Sequence, residues 1–402
     1  MKPTTIKKQA FIFLLLLGFI SLLSDFTHEG ARSIYGPYLG VLGVSAFLVA
    51  FTAGLGEWIG QALRIVTGYI ADKTKKYWLM MILGYALNLL VIPLLMFVTV
   101  DLWHVAIILI LLERIGKGIR APAKSALTSF TTPHLGVGKA FALQEAMDQF
   151  GAFLGPLFVF FILSLNKGSE LNGYQMAFGL LGIFAVLTLV VLVIAKTKYP
   201  HPDQFETLKT KKGFKNNPFF MYYMMAIAFI AFGFIDYPVL AFHMGQRQLI
   251  DIVYIPLLYA MAMGVDAISA LVFGHLYDRK GMIALVISVF LSLFIAPVFF
   301  FVQGLAGLII GILLWGIAMG AQESILKAVI ASLVSKDKRG TAYGIFYTVF
   351  GSSWFLGSMI IGWLYQIELL YLVIFVSMMQ GLALFSLSLF ISKSKKMTFE
   401  VV

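Results

Sequence analysis

The sequence predicts an all-α membrane protein with twelve transmembrane helices in two pseudo-symmetric six-helix bundles. Three observations carry that prediction. The 402 residues are 60% hydrophobic and only 12% charged, with a mean hydropathy of +0.92, a composition foreign to large soluble domains. Twelve apolar segments can be drawn, near 10–35, 44–66, 78–99, 102–122, 139–164, 174–195, 218–243, 252–273, 282–302, 305–330, 341–364 and 369–391, each of a length that crosses a bilayer. The two halves also echo each other. Ile-Leu-Leu at 110–112 and Gly118 return at 312–314 and Gly320, and Phe153-Leu154-Gly155 returns at the same offset as Phe355-Leu356-Gly357. Internal duplication in a membrane chain points to a transporter with its site between the repeats.

Taken in order, the first apolar run, Ala10 to Leu23, passes into polar residues without a small-residue cleavage site and reads as helix 1, not a signal peptide. When the loops are assigned alternately to two sides, one side collects both tails and the loops at Lys73–Lys76, Lys124–Lys139, Lys196–Lys215, Arg279–Lys280 and Lys336–Arg339. That side holds 22 of the 30 Lys and Arg, whereas the other has only Lys167 and Arg247, so both termini are expected in the cytoplasm. The same distribution explains the net charge of +11 as membrane topology, without a nucleic-acid partner. The longest basic loop separates an N-terminal bundle (1–195), a cytoplasmic linker (196–217) and a C-terminal bundle (218–402). With no cysteine, disulfides, thiolate metal sites and cysteine nucleophiles are excluded. Six scattered histidines make no metal site, and no nucleotide-binding loop or nucleophile constellation is visible, so neither a cofactor nor an enzyme activity is expected.

The chain after span 2 reads Gly68-Tyr-Ile-Ala-Asp72-Lys73, and after span 8 Gly274-His-Leu-Tyr-Asp278-Arg279. Both resemble the Gly-x-x-x-Asp-Arg/Lys-x-Gly-Arg/Lys signature of the major facilitator superfamily, in the two places where that family carries it. Lys75 stands in the first copy where the family has its second glycine, and the second copy lacks the trailing basic pair after Gly281. The resemblance covers the whole chain and implies alternating access. In the family, this aspartate meets a neighbouring helix end across the halves, so Asp72 and Lys73 would help hold an outward-open state against the start of span 11 near Gly340 and Thr341. Arg114 to Gly118 looks like the family's Arg-x-x-x-Gly motif in span 4, whose arginine is implicated in proton coupling. Gly151, Gly155 and Pro156 in span 5 look like the Gly-x-x-x-Gly-Pro motif of its antiporter branch, although the glycines usually found just after that proline are absent.

Fifteen ionisable residues fall within the spans, and on insertion scales that many facing lipid would cost on the order of 40 kcal/mol. They must pair or line a watery cavity. Depth sorts them into two layers. Asp25, His28, Glu29 and Arg32 share one face of helix 1, and Asp236 in span 7 lies at similar depth; helices 1 and 7 would face each other across the central cavity, as the resemblance implies. Carboxylates so placed can carry a proton, or Glu29 and Arg32 can simply bridge at i,i+3. Toward the cytoplasm, Lys117 and Arg120 are expected beside Glu145 and Asp148, joined by Glu57, Arg64, Asp266, Glu323 and Lys327. Here Glu113, Lys117, Arg120 and Lys124 share one face of span 4, with Arg114 pointing elsewhere. These charges would form an inner gate whose salt bridges exchange partners, or a permanent structural network. The expected function is monomeric, proton-coupled transport of a small organic solute across the cytoplasmic membrane, by efflux in exchange for protons. The alternatives are proton-driven uptake of an anionic metabolite and, from another class, a receptor or membrane-embedded enzyme on the same fold. The partners expected are the solute, protons and membrane lipid.

Overall fold

The structure, a computed structural model, describes residues 3–135, 137–202, 219–333 and 339–400. Among these residues the regular structure is entirely helical. The helices are α1 (Pro3–Val41), α2 (Ala46–Thr74), α3 (Tyr77–Leu94), α4 (Trp103–Phe130), α5 (Thr132–Leu135), α6 (Val137–Leu165), α7 (Glu170–Lys198), α8 (Phe219–Phe232), α9 (Tyr237–Gln246), α10 (Ile255–Lys280), α11 (Ile283–Ser292), α12 (Ile295–Phe301), α13 (Gly304–Leu333), α14 (Arg339–Ile367) and α15 (Leu369–Glu400). Among the described residues, eleven helical segments are long and apolar enough to cross a membrane. The remaining expected span is α4, whose 28 residues include the apolar run broken by Glu113, Arg114, Lys117 and Arg120. Most of the expected central linker lies outside the described residues.

Two expected spans are not continuous. Span 7 breaks between α8 and α9, where Gly233 ends one helix and Asp236 caps the next by accepting from Tyr237 N at 2.9 Å. Pro238 follows in the first turn, where a missing N–H costs nothing. The break frees backbone groups, and one of them is met: Trp315 Nε1 donates to Ile235 O at 2.8 Å. Span 9 breaks between α11 and α12 at Leu293 and Phe294, next to Ser292, whose hydroxyl accepts from Gln322 Nε2.

By contacts the chain forms two compact units. The first comprises 1–44, 59–210 and 251–260, and the second 45–58, 211–250 and 261–402. By this grouping the first turns of α2 fall in the second unit, where Phe51 meets Phe355, and the first turns of α10 in the first, where Tyr254 meets Phe160.

Inside each unit, helices are held by close backbone approach, the usual means of association where lipid offers no hydrophobic gain. A Cβ on Gly155 would collide with Phe26 O, and one on Gly357 with Phe232 O; likewise Gly118 faces Gly60 O, and Gly320 faces Asp266 O. In both cases the second contact repeats the first with the helices advanced by 202 and 206 residues. The duplication therefore reaches down to individual packing contacts. It reaches the turns too. Lys75 (φ 56°) and Gly281 (φ 58°) close α2 and α10 in the same left-handed conformation, and their N–H groups donate to Ala71 O and Tyr277 O. The signature glycines sit in open surroundings: a Cβ on Gly274 would meet nothing within 4 Å, and one on Gly68 only the ring of Pro122 at ordinary contact distance. Neither marks a tight helix crossing.

Candidate functional site

The charged residues of the first unit gather between α1, α3, α4 and α6. What brings them together is a pair of glycines. A Cβ on Gly116 would collide with the backbone of Asn88, and one on Gly84 with the backbone of Arg120, so α3 and α4 touch main chain to main chain. Asn88 is thereby pressed into α4, where its amide donates to the Glu113 carboxylate and to Glu113 O at 3.1 Å, and its oxygen accepts from Arg120 Nε at 3.2 Å. Gly151 and Gly155 in turn set α6 against the backbone of α1 at Leu22 and Phe26, flanking Asp25.

The centre of the site is His28, wholly buried. Its Nε2 lies 2.9 Å from Lys117 Nζ and 3.4 Å from Glu29 Oε1, and its Nδ1 lies 2.7 Å from Glu113 Oε1. An ammonium can only donate, so a hydrogen bond from Lys117 requires Nε2 to accept. Glu113, itself fully buried, also meets Arg114 Nε at 3.3 Å. Glu29 stands 3.5 Å from Arg32 Nη1 and 3.9 Å from Lys117 Nζ, and it accepts from the Tyr259 hydroxyl at 2.6 Å. One turn along, Arg120 reaches Asp25 Oδ1 at 3.3 Å while its guanidinium covers the Tyr85 ring at 4.5 Å. Further on, Lys124 donates to Asp148 Oδ2 at 2.6 Å, and Gln144 joins Asp148 to Ser21. Acids and bases thus meet in two neighbouring groups, one around His28, Glu113, Asn88 and Arg120 and the other around Lys124 and Asp148. Losing one member of such a buried pair strands the other, at about 3–5 kcal/mol.

This geometry merges the two expected layers. Lys117 and Arg120 pair with the α1 residues Glu29 and Asp25, and not with Glu145 and Asp148; Lys124, further along the same face, takes Asp148. The reason is that α1 continues unbroken to Val41, so its polar stretch lies beside the middle of α4. Glu145 is instead exposed on α6. Arg114, expected to point away, is buried against Glu113. Within the second unit, Asp266 is buried, Asp236 caps α9, Glu57 is half-buried and Glu323 is exposed. Arg64 is half-buried in the first unit. Asp72, Lys73, Asp278 and Arg279 are exposed at helix ends, and the side chain of Lys327 lies outside the described residues. Composition and periodicity did not single out Asn88, Tyr85, Gln144 or the role of Tyr259. A lone Asn in the apolar α3 was the available signal, since an amide at that depth needs partners.

The sequence profile of the Major Facilitator Superfamily matches residues 14–358 and 255–400. The chain belongs to the Major Facilitator Superfamily. It is 36% identical over 385 residues to an uncharacterised protein of Mycobacterium tuberculosis, covering 94% of this chain and 92% of the relative. It is 30% identical over 364 residues to an uncharacterised transporter of the same superfamily from Methanocaldococcus jannaschii, covering 88% of each. In fold it is similar to a crystallised POT family transporter in complex with a thioalcohol-conjugated peptide, at a TM-score of 0.74, with 13% identity and 96% of both chains covered. As a member of the Major Facilitator Superfamily the chain is a multi-pass membrane transporter of a small molecule, not an enzyme.

Proposed function

We propose that the chain is a proton-coupled secondary transporter that exports a small organic solute by antiport, working by alternating access as a monomer in the cytoplasmic membrane with both termini inside. The observation that carries this reading is a buried cluster in which His28 stands between Glu29 and Glu113, and Asp25 joins it through Arg120 and Asn88, each carboxylate facing a named base or donor. Protonating one carboxylate releases its cation to another partner, which is how a proton can be converted into helix movement. Asp25 and Glu29 are the residues proposed to take it, with Asp236 as their counterpart in the second unit. Arg114, Lys117 and Arg120 would pass the change along α4. The export direction is supported by the antiporter-like Gly151, Gly155 and Pro156, whose glycines hold α6 directly against the α1 segment that bears Asp25.

One observation favours a second reading, uptake of an anionic metabolite with protons. The site brings three arginines, Arg32, Arg114 and Arg120, together with Lys117 and Lys124. Guanidinium groups suit carboxylate or phosphate solutes.

Purified protein in liposomes loaded with a pH-sensitive dye decides between them. With a proton gradient imposed, adding amphipathic cations, organic anions, sugars or chelates in turn should move protons for one class only. Counterflow of proton and solute supports export, and co-movement supports uptake. Asp25→Asn and Glu29→Gln should each change the pH dependence of transport. If neither does, the proton role leaves this site.

A further inference from the structure

The first unit contains a second feature that transport leaves unused: a cavity of about 650 Å³ at the ends of α2, α4 and α7. Lys75, Lys76, Lys196 and His201 bring basic groups to it, and Trp78 and Phe130 give it aromatic walls. Among the described residues that line it there is no Asp or Glu. The wall is braced: the Trp78 indole donates to Tyr199 O at 3.1 Å, and both residues are buried. The neighbouring Leu79 is half exposed, so the cavity opens beside an apolar surface. A volume of this size is that of a small-molecule site.

Lys75 adds an independent argument. The duplicated turn places Gly281 at the equivalent position, with the same left-handed backbone that an L-residue adopts at a cost. A lysine nevertheless occupies the first copy, and its ammonium is directed by a hydrogen bond to the Tyr77 hydroxyl at 3.3 Å, a residue that also lines the cavity. A strained residue at a cavity wall is a place to look for a side chain used in binding.

We propose that this cavity binds a phosphate oxyanion, held by Lys75, Lys76 and Lys196 with the aromatic wall covering the group attached to it. Two sources share that chemistry: the headgroup of an anionic phospholipid, reached along the surface beside Leu79, and a free phosphate or small phosphomonoester from the aqueous side. Basic pockets at helix ends on the lysine-rich side of a membrane protein are known to take the first.

The test uses the full-length chain, stripped of lipid in detergent, with native mass spectrometry for phosphatidylglycerol against phosphatidylcholine and calorimetry for inorganic phosphate and glycerol 3-phosphate. Two variants accompany it: Lys75→Gly, and Lys75→Gly combined with Lys76→Gln and Lys196→Gln. Each lysine near an anionic group is worth about fivefold, so the triple variant should lose on the order of a hundredfold in affinity. Lys75→Gly should lose binding while melting at or above the wild-type temperature, because glycine is at home at that φ, which separates lost binding from lost folding. Phosphatidylglycerol bound alone assigns the site to lipid, and displacement by inorganic phosphate assigns it to a free anion. Equal binding by wild type and triple variant, or no preference for phosphatidylglycerol together with no phosphate heat, overturns the proposal.

Discussion

The hydroxyl of Tyr259 donates a 2.6 Å hydrogen bond to the Glu29 carboxylate, joining residues 230 positions apart at the start of α10 and the middle of α1. Hydrogen bonds to a charged group contribute about 1.5–3 kcal/mol, so Tyr259→Phe should loosen this junction by an amount visible in kinetics. The expected result is a change in transport rate of about tenfold, with the protein still folded. Because the chain has no cysteine, a single cysteine introduced at Tyr254 gives a clean second readout. Maleimide labelling there should accelerate in the Tyr259→Phe background. An unchanged labelling rate and unchanged transport would show the bond to be incidental.

Asn88 satisfies Glu113 and Arg120 at once, each of them buried. Asn88→Ala leaves both short of a partner, and each orphaned charged group costs about 1–3 kcal/mol or more. The midpoint of thermal unfolding in detergent should fall clearly below wild type. Full stability in that variant would mean that water replaces the amide, and that the site is wetter than its burial suggests.

The glycines make a paired comparison. Gly116→Ala and Gly84→Ala each place a methyl against the main chain of the facing helix, and overpacking of this kind costs about 1–3 kcal/mol. Gly274→Ala places its methyl in open space inside α10, where alanine is the better helix former by about 1 kcal/mol. Detergent melting should therefore rank Gly274→Ala at or above wild type and both α3–α4 variants below it. The reverse order would remove the backbone contact as the basis of the α3–α4 pair.

Lys124 and Asp148 form a close, mostly buried ion pair. Asp148→Asn alone should destabilise by about 3 kcal/mol because it strands the ammonium, and adding Lys124→Met should restore much of the loss. If the double variant is stable but inactive, the pair works in transport. If it is stable and active, the pair only holds α4 to α6.

The fold was legible because its signals are long-range in sequence and insensitive to detail. Twenty-residue apolar runs, lysines gathered on alternate loops and the doubled signature all survive errors of a few residues. The breaks at Phe232–Tyr237 and Ser292–Ile295 were not read, although Asp236 followed by Tyr237 and Pro238 is a helix start inside an apolar run. The face shared by Glu113, Lys117, Arg120 and Lys124 was legible from the helical period, since all four turn toward partners on α1, α3 or α6. Which acid meets which base was not. Pairing by depth alone put Arg120 beside Glu145, whereas the register between α1 and α4 is fixed by glycine contacts of α3 and α6 that no single helix displays.

The way α4 is neutralised also has a consequence for how the chain is made. On its own, this helix is a poor candidate for release from the translocon, since each of its central charges opposes insertion by about 2.5–3.5 kcal/mol. Yet most of the groups that answer those charges, Asp25, His28, Glu29, Tyr85 and Asn88, lie upstream and have already left the ribosome when α4 emerges. Insertion of α4 is therefore expected to wait upon α1 and α3, entering as the second arm of a hairpin with α3. A ribosome-stalled chain lacking α1 should leave α4 in the aqueous channel, open to glycosylation or protease, while the intact chain should carry it into the bilayer.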